Sequence, residues 1–189
     1  MKCVLVTFAT RTGSTEEVAR FVADVLREHG LAVDVLPVSE VNSLAGYGGV
    51  VLAAALYMGR LHNDARRFLR MHYAALIDHP VALLIPGPVQ KDEKDWAGAR
   101  QQLEKELGNY PWLSPIAQYI IGGRFDPAKL GFPFNLLLRK LPANDARDWT
   151  EIRTLAGNLA ETLRSASEPG SPKPAPEAPN SAEAEIAAR

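Results

Sequence analysis

The chain has 189 residues, 47% hydrophobic and 23% charged, enough apolar material for one domain with a buried core. Lys and Arg total 21 against 22 Asp and Glu, a net charge of -1, which argues against a nucleic-acid-binding protein and a strongly acidic electron carrier. No apolar run predicts a membrane-spanning helix, and the single cysteine, Cys3, excludes an internal disulfide. The first residues lack the pattern of a secretory leader, so we expect a cytoplasmic protein.

Short β-branched apolar runs alternate along the chain with longer segments of helical period, which is typical of βαβ units around a parallel sheet. All of these runs are apolar enough to be covered by helices on both faces. The predicted strands are 3–8, 32–37, 50–55, 81–85 and 116–121. The sequence therefore predicts an α/β fold of three layers around a five-stranded parallel sheet.

Four helices are predicted between and after these strands. The first follows the first strand and ends before Gly30, and the third covers 95–107. The second covers 63–77, with its apolar side chains inward and three arginines outward: Arg66, Arg67 and Arg70. The last begins at Asp148, which stands in capping-box spacing with Glu151, and it is expected to bury Trp149.

Two segments fall outside this alternation. Residues 166–189 are rich in Pro, Ser, Glu and Ala without apolar periodicity, so we expect a disordered tail after a domain spanning 1–165. Residues 122–142, after the fifth strand, are too long for a turn and are both basic and hydrophobic. Segment 125–142 is compatible with a cationic amphipathic element at a membrane surface, and equally with a lid on its own domain or a dimer contact.

A hydroxyl-rich loop follows the first strand and leads directly into the first helix. Its residues are Thr10, Arg11, Thr12, Gly13, Ser14 and Thr15. Hydroxyl groups, a glycine and the free N–H groups of a helix N-terminus together form a cradle for phosphate oxygens. The loop has neither the P-loop pattern nor the Rossmann dinucleotide pattern. The alternative is that Ser14 or Thr15 only caps the helix.

This loop resembles the phosphate loop of the flavodoxin family, in which Thr/Ser-x-Thr-Gly-x-Thr follows the first strand. The resemblance covers about residues 1–165. It implies a flavodoxin-like doubly wound sheet in the order 2-1-3-4-5, with FMN at the carboxyl ends of strands one, three and four. It also implies that the loop holds the FMN phosphate and that Arg11 adds a positive charge there.

Two further loops of that family touch the isoalloxazine ring of FMN. By position they are Tyr57, Met58, Gly59 and Arg60 after the third strand, and Pro86, Gly87 and Pro88 after the fourth. The resemblance implies that the backbone at Gly59 lies near flavin N5 and that Tyr57 or Met58 packs on the ring. Burial of Tyr57 and Met58 in the core is the alternative. The later loop starts without an aromatic side chain, which would leave one ring face open to an organic substrate.

The insertion extends the resemblance to a narrower group. An FMN-binding domain with a basic, hydrophobic insertion after the fifth strand is similar to the menaquinone-dependent protoporphyrinogen IX dehydrogenases of heme biosynthesis. The similarity implies an FMN-dependent oxidoreductase that passes electrons from a reduced substrate, such as protoporphyrinogen IX, through the flavin to a quinone. It is also consistent with a peripheral contact with the inner face of the membrane through 125–142.

The candidate substrate contacts are basic side chains that would pair with porphyrinogen propionates, and one histidine. They are Arg60, His62, Arg124, Lys129, Arg139 and Lys140. At the start of the second helix, His62 could bind a carboxylate or move a proton, or it could simply face solvent. We find no metal-site spacing and no nucleophile motif. The chemistry is therefore expected to be flavin-borne, without a metal or a catalytic protein nucleophile.

Three functions stay open on the sequence alone. The first is the flavin enzyme, and the second is a non-catalytic flavodoxin-type electron-transfer protein that docks other proteins. The third is a regulatory domain that has lost its cofactor, and the intact phosphate loop argues against it. The near-neutral charge and the insertion favour the enzyme over the electron-transfer protein.

Overall fold

The computed structural model describes residues 2–90, 92–126, 128, 136 and 142–166. Its strands are β1 (Cys3–Ala9), β2 (Val33–Pro37), β3 (Tyr47–Ala54), β4 (Leu56–Tyr57), β5 (Arg60–Leu61), β6 (Val81–Pro86), β7 (Ala117–Ile121), β8 (Arg124–Phe125) and β9 (Asn144–Asp145). Its helices are α1 (Ser14–Glu28), α2 (Asn63–Met71), α3 (Tyr73–Asp78), α4 (Glu93–Leu107) and α5 (Trp149–Ala166). Of the predicted tail 166–189, Ala166 is the last residue of α5 and the rest lies outside the described residues. Three predicted residues of the insertion also lie outside them: Lys129, Arg139 and Lys140.

Five of these strands form one parallel sheet in the order β2-β1-β3-β6-β7. The remaining strands form two short antiparallel pairs, β4 with β5 and β8 with β9. When the five strands of the main sheet are numbered alone, their order is 2-1-3-4-5. The structure therefore confirms the predicted flavodoxin-like α/β fold.

Alternate residues of the strands supply the two faces of the sheet, because strand side chains have a period of two. In β1, Val4, Val6 and Phe8 pack with α1 and α5, whereas Leu5 and Ala9 pack on the face covered by α2, α3 and α4. Both faces are therefore apolar, and each buried Val or Leu contributes about 1.5–3 kcal/mol of hydrophobic stabilisation. The two layers of helices hold the sheet edges in fixed positions for the loops that follow.

The predicted single helix over 63–77 is wrong, because the chain breaks at His72 into α2 and α3. His72 has φ -103° and ψ 17°, and its Nε2 lies 3.2 Å from the carbonyl oxygen of Val41. The ring thus bonds to the backbone of the segment before β3 while its own carbonyl accepts from Leu76 N. The chain thus passes from α2 to α3 with a one-residue break at His72.

Two predicted side-chain positions also differ from the structure. Trp149, expected in the core, is 37% exposed. It lies in the first turn of α5, and its ring packs edge-on against Phe21 of α1. Arg66, expected to point outward, is half-buried beside the buried carboxylate of Glu106. A buried charge partner on α4 therefore draws one arginine of α2 inward.

The end of β7 and the loop after β6 are held together by close backbone contacts. Gly87 N donates to Ile121 O (2.9 Å), and Gly123 N donates to Pro88 O (2.7 Å). A Cβ at Gly123 would lie 2.3 Å from Gly87 O, and one at Gly122 would lie 2.0 Å from Ala146 O. Side chains are excluded at both positions, because Gly123 approaches the 86–89 loop and Gly122 approaches the chain before α5.

Gly123→Ala should destabilise the fold, because its Cβ would meet the Gly87 backbone, which cannot move aside as a side chain can. We expect a loss of about 1–3 kcal/mol in the free energy of unfolding, measured by urea denaturation. The matched control is Gly98→Ala in α4, where a Cβ meets nothing within 4 Å. That change should stabilise by about 0.5–1 kcal/mol. Equal stabilities of the two variants would contradict the close approach at Gly123.

Candidate cofactor site

The three loops singled out by the sequence leave the same edge of the sheet. Strands β1, β3 and β6 are neighbours and parallel, so their carboxyl ends lie side by side. The segments 10–13, 55–62 and 87–92 follow these ends directly. A crevice at the carboxyl edge, where strand order reverses beside the first strand, is the usual ligand site of doubly wound sheets.

The 10–15 loop presents an open helix N-terminus. Gly13 has φ 89°, a left-handed conformation that favours glycine, and its N–H donates to Thr10 Oγ1 at 2.9 Å. Gly13 is the N-cap of α1, and no side chain among the described residues caps this helix. By contrast, His62, Asp92 and Asp148 cap α2, α4 and α5. The structure therefore does not have the simple cap that was the alternative for Ser14 or Thr15.

The donors in this loop fit a phosphate group. The first N–H groups of a helix have no intrahelical partner and carry the positive end of the helix dipole. A Cβ placed on Gly13 would meet nothing within 4 Å, so the space in front of these groups is open. Thr15 is buried against the loop, and Thr12 and Ser14 are half-buried. The loop thus combines hydroxyl groups with free N–H groups, which are the donors that a phosphate group requires.

Two carboxylates in the first turn of α1 would repel such an anion if they were unpaired. Glu16 pairs with Arg20 at 2.8 Å, and Glu17 accepts from Arg147 Nη1 at 2.8 Å and from Arg124 Nη1 at 3.5 Å. Each acidic side chain is therefore offset by at least one guanidinium. This pairing leaves the helix N-terminus favourable to negative charge.

Arg147 joins α1 to the base of the insertion. Its side chain is only 4% exposed and bonds to Asp145 of β9 (Nη2–Oδ2, 2.6 Å) as well as to Glu17. The guanidinium also lies 4.7 Å from the Trp149 ring centroid. Its hydrogen bond to Asp145 holds the pKa of that carboxyl below its usual value. The base of the insertion is thus attached to the helix that starts the site.

The β4–β5 hairpin places the second predicted loop over the same edge. Its turn contains Met58 with φ 51° and Gly59 with φ 76°, the positive values that a type I′ turn requires. Tyr57 is 44% exposed and Met58 is fully exposed, so the alternative that both are core residues is wrong. Burial raises the pKa of the Tyr57 phenol, while the nearby positive charge of Arg11 opposes the rise.

The predicted substrate residues are not gathered in one place. Arg60 ends the hairpin and is exposed, whereas Arg124 is bound to Glu17 and Asp126. His62 is mostly buried, caps α2 by accepting from Asp64 N at 3.3 Å, and lies 5.9 Å, ring to ring, from Tyr57. It begins the helix as expected but does not face solvent. A substrate role for these residues stays a prediction.

Sequence reasoning missed Glu106, which is 3% exposed. Its Oε1 accepts from Leu61 N at 3.3 Å and lies 3.7 Å from Arg66 Nε, and Asn109 Nδ2 donates to Oε2 at 3.2 Å. The signal was present, because Glu106 lies three residues after the buried Leu103 and therefore on the same face of α4. A carboxylate on an apolar stripe indicates a buried charge partner.

Sheet order, loop placement and the open helix N-terminus define a flavodoxin-type flavin-binding domain. A family model described as flavodoxin domain matches residues 5–147, and the chain belongs to this family. Its cofactor is accordingly FMN. Within the residues that the structure describes, no helix has the length and apolar character needed to cross a membrane.

The chain is also similar to individual proteins. It is 31% identical over 121 residues to protoporphyrinogen IX dehydrogenase [quinone] of Escherichia coli strain K12, covering 62% of this chain and 67% of that protein. A mutant flavodoxin from Pseudomonas aeruginosa superposes with TM-score 0.54 at 18% identity, over 85% of this chain and 98% of the other. Rubredoxin oxygen:oxidoreductase of Desulfovibrio gigas superposes with TM-score 0.55 at 13% identity, over 88% of this chain and 37% of the other. The two structures show the same fold.

Arg147→Met should destabilise the fold by about 1–3 kcal/mol, because it removes charged hydrogen bonds made by a buried guanidinium. The matched control is Arg153→Met, which removes the same two kinds of contact: a guanidinium over an aromatic ring, Phe21, and an ion pair with one carboxylate, Glu28. That pair is half-exposed and should contribute below about 1 kcal/mol. Urea denaturation of both variants at neutral pH measures the difference.

The cost of Arg147→Met should shrink in acid. The pKa of Asp145 is lowered in the folded state, so its contribution is present above the pKa of the unfolded chain and is lost as pH falls through the folded pKa. Urea denaturation from neutral pH to below that pKa follows this loss. A pH-independent difference between wild type and variant would contradict the ion pair with Asp145.

Thr15→Val should weaken FMN binding about tenfold to a hundredfold, because the hydroxyl is replaced by a methyl group of similar volume and a charged hydrogen bond is lost. Thr15→Ser, which keeps the hydroxyl, is the control. Fluorescence titration with FMN and with riboflavin, which has no phosphate, separates loss of phosphate binding from loss of ring binding. If Thr15→Val weakened both ligands equally, Thr15 would not meet the phosphate.

Proposed function

We propose that the chain is an FMN-dependent oxidoreductase that oxidises a reduced organic substrate and uses a quinone as electron acceptor. A porphyrinogen such as protoporphyrinogen IX is the first candidate substrate, supported by the name of the Escherichia coli relative. The observation that carries the proposal is the 86–89 loop. It has no aromatic side chain, and it is fixed by Gly123 and by a bond from Asn144 Nδ2 to Val89 O.

The chain's own residues bind and orient the cofactor. The N–H groups at the start of α1, with the hydroxyls of Thr10, Thr12, Ser14 and Thr15, would hold the FMN phosphate. Arg11, next to Tyr57 on the hairpin, would offset part of the phosphate charge. Bound FMN supplies reversible uptake of electrons from an organic donor.

The two ring loops differ in what they offer. On the hairpin, Tyr57 and Met58 expose an aromatic and a thioether side chain, which would cover one side of the ring. Gly59, held at φ 76°, would bring its backbone to the flavin edge without a Cβ in the way. The Pro86, Gly87 and Pro88 segment offers mainly backbone, which leaves room for a flat substrate or a quinone.

The tether between this loop and the insertion supports the role of the insertion in the same reaction. Gly123, at the start of the insertion, and Asn144, just after its end, both contact 86–89. The two ends of the 122–142 insertion would therefore lie beside the substrate side of the ring, within a domain proposed to span 1–165. Peripheral attachment to the inner face of the membrane through 125–142 belongs to the same proposal, because a quinone is held in the lipid.

The second candidate function is a non-catalytic flavodoxin-type electron-transfer protein. Full exposure of Met58 at the hairpin tip favours it, since an apolar side chain in that position suits contact with another protein. The two candidates differ in one respect that can be measured. An electron-transfer protein needs a separate enzyme to reduce a quinone, whereas the proposed enzyme does not.

FMN-loaded protein, reduced without oxygen, should be reoxidised by a soluble menaquinone analogue faster than free FMN at equal concentration. Absorbance at the flavin band measures the rate. With protoporphyrinogen IX and no quinone, porphyrin fluorescence should stop at about one third of an equivalent per FMN, because forming the porphyrin removes six electrons and one FMN accepts two. It should continue past that limit only when quinone is present. Gly98→Ala, whose added Cβ meets nothing within 4 Å, serves as a control for changes caused by preparing a variant protein. Reoxidation no faster than free FMN would exclude the enzyme and leave the electron-transfer protein.

A further inference from the structure

A pocket separate from the cofactor site shares only one residue with the three cofactor loops. It has a volume of about 380 Å3 and opens between α2, α3 and the end of α4. Three arginines and three aromatic residues line it: Arg60, Arg66, Arg70, Tyr73, Tyr110 and Trp112. Arg60 belongs to the hairpin, so the pocket begins where that hairpin ends.

The pocket carries an excess of positive charge. Its one acidic lining residue is Glu106, which is already shared among Leu61 N, Asn109 and Arg66. Among the described residues, Arg60 and Arg70 have no acidic partner. Three guanidinium groups against one carboxylate leave an excess of two positive charges. A ligand with two negative charges would balance them.

The opposite side of the pocket is aromatic. The Trp112 ring meets the ring of Tyr73 edge to face with centroids 4.8 Å apart, and that of Tyr110 at 6.1 Å. Tyr110 is buried and Tyr73 is partly exposed, so the cluster extends from the interior to the mouth of the pocket. Such rings favour a flat apolar group.

Guanidinium groups beside aromatic rings select for ligands that combine both properties. Arginine binds carboxylates through two parallel hydrogen bonds, and the rings would pack on a planar skeleton. We propose that this pocket binds a planar ring compound that carries two carboxylates. The proposal concerns binding alone, so it stands or falls independently of quinone reduction at the flavin.

Glu106 connects this pocket to the cofactor site. It fixes the hairpin through Leu61 N, and a Cβ at Gly59 would contact Gln102 of the same helix α4 at 3.7 Å. The hairpin therefore lies against α4 at two points. A ligand held by Arg60 would lie at the foot of the hairpin that carries Tyr57 and Met58.

Calorimetric titration of FMN-loaded protein with naphthalene-2,6-dicarboxylate tests the proposal. We expect one site whose affinity falls as salt is raised, because the contacts are ionic. Arg70→Gln should weaken binding about tenfold or more, since a charged hydrogen-bonding group is lost. The matched control is Arg67→Gln, an exposed arginine of the same helix that does not line the pocket, and its affinity should equal that of wild type.

Three further results decide between ligand chemistries. The dimethyl ester of the probe, which has no charge, should bind at least tenfold more weakly, and equal binding of ester and diacid would overturn the proposal. Failure of the diacid to bind folded, FMN-loaded protein would also overturn it. If 2-naphthyl phosphate bound tightly and the diacid did not, the pocket would be a phosphate site and the carboxylate assignment would be wrong.

Discussion

An open, positively polarised N-terminus of α1 is the constraint on which the rest of the site depends. Gly13 leaves the first N–H groups without a side-chain cap, and a helix end of this kind is stable when an anion takes the place of the cap. The pairing of Glu16 with Arg20 and of Glu17 with Arg147 preserves that polarity. These ion pairs, one of them made by the nearly buried Arg147, keep the helix end favourable to the phosphate that we propose it holds.

The sequence was sufficient for the sheet and for the phosphate loop because both follow local rules. Short β-branched apolar runs predicted the strands of the sheet, and the loop 10–15 follows the first of them directly. Where the structure differs from the prediction, a residue distant in sequence determines the local structure. His72 breaks a predicted helix by bonding to Val41, which lies 31 residues earlier. Arg66 turns inward to Glu106, 40 residues later in the chain, and neither partner can be read from helical periodicity.

The candidate site was predictable only in part for the same reason. Parallel neighbours in the sheet bring the three loops together, so strand order alone gave their placement. The contacts that fix the loops are tertiary: Gly123 against Gly87, and Glu106 on the N–H of Leu61. The pocket between α2 and α4 depends on the second of these contacts. Helical periodicity placed Arg66 and Arg70 on the outer face of their helix, whereas in the structure they line the pocket beside Glu106 of α4.

The short β8–β9 ladder has a consequence for how this fold can vary. Arg124 pairs with Asp145 and Phe125 with Asn144, so the two ends of the insertion leave the domain side by side. Because the β8–β9 ladder joins its two ends, the insertion can be treated as a separate part of the chain. Evolution or an engineer can lengthen, shorten or exchange it while the sheet register is retained, because the register is set by strands on the other side of that closure.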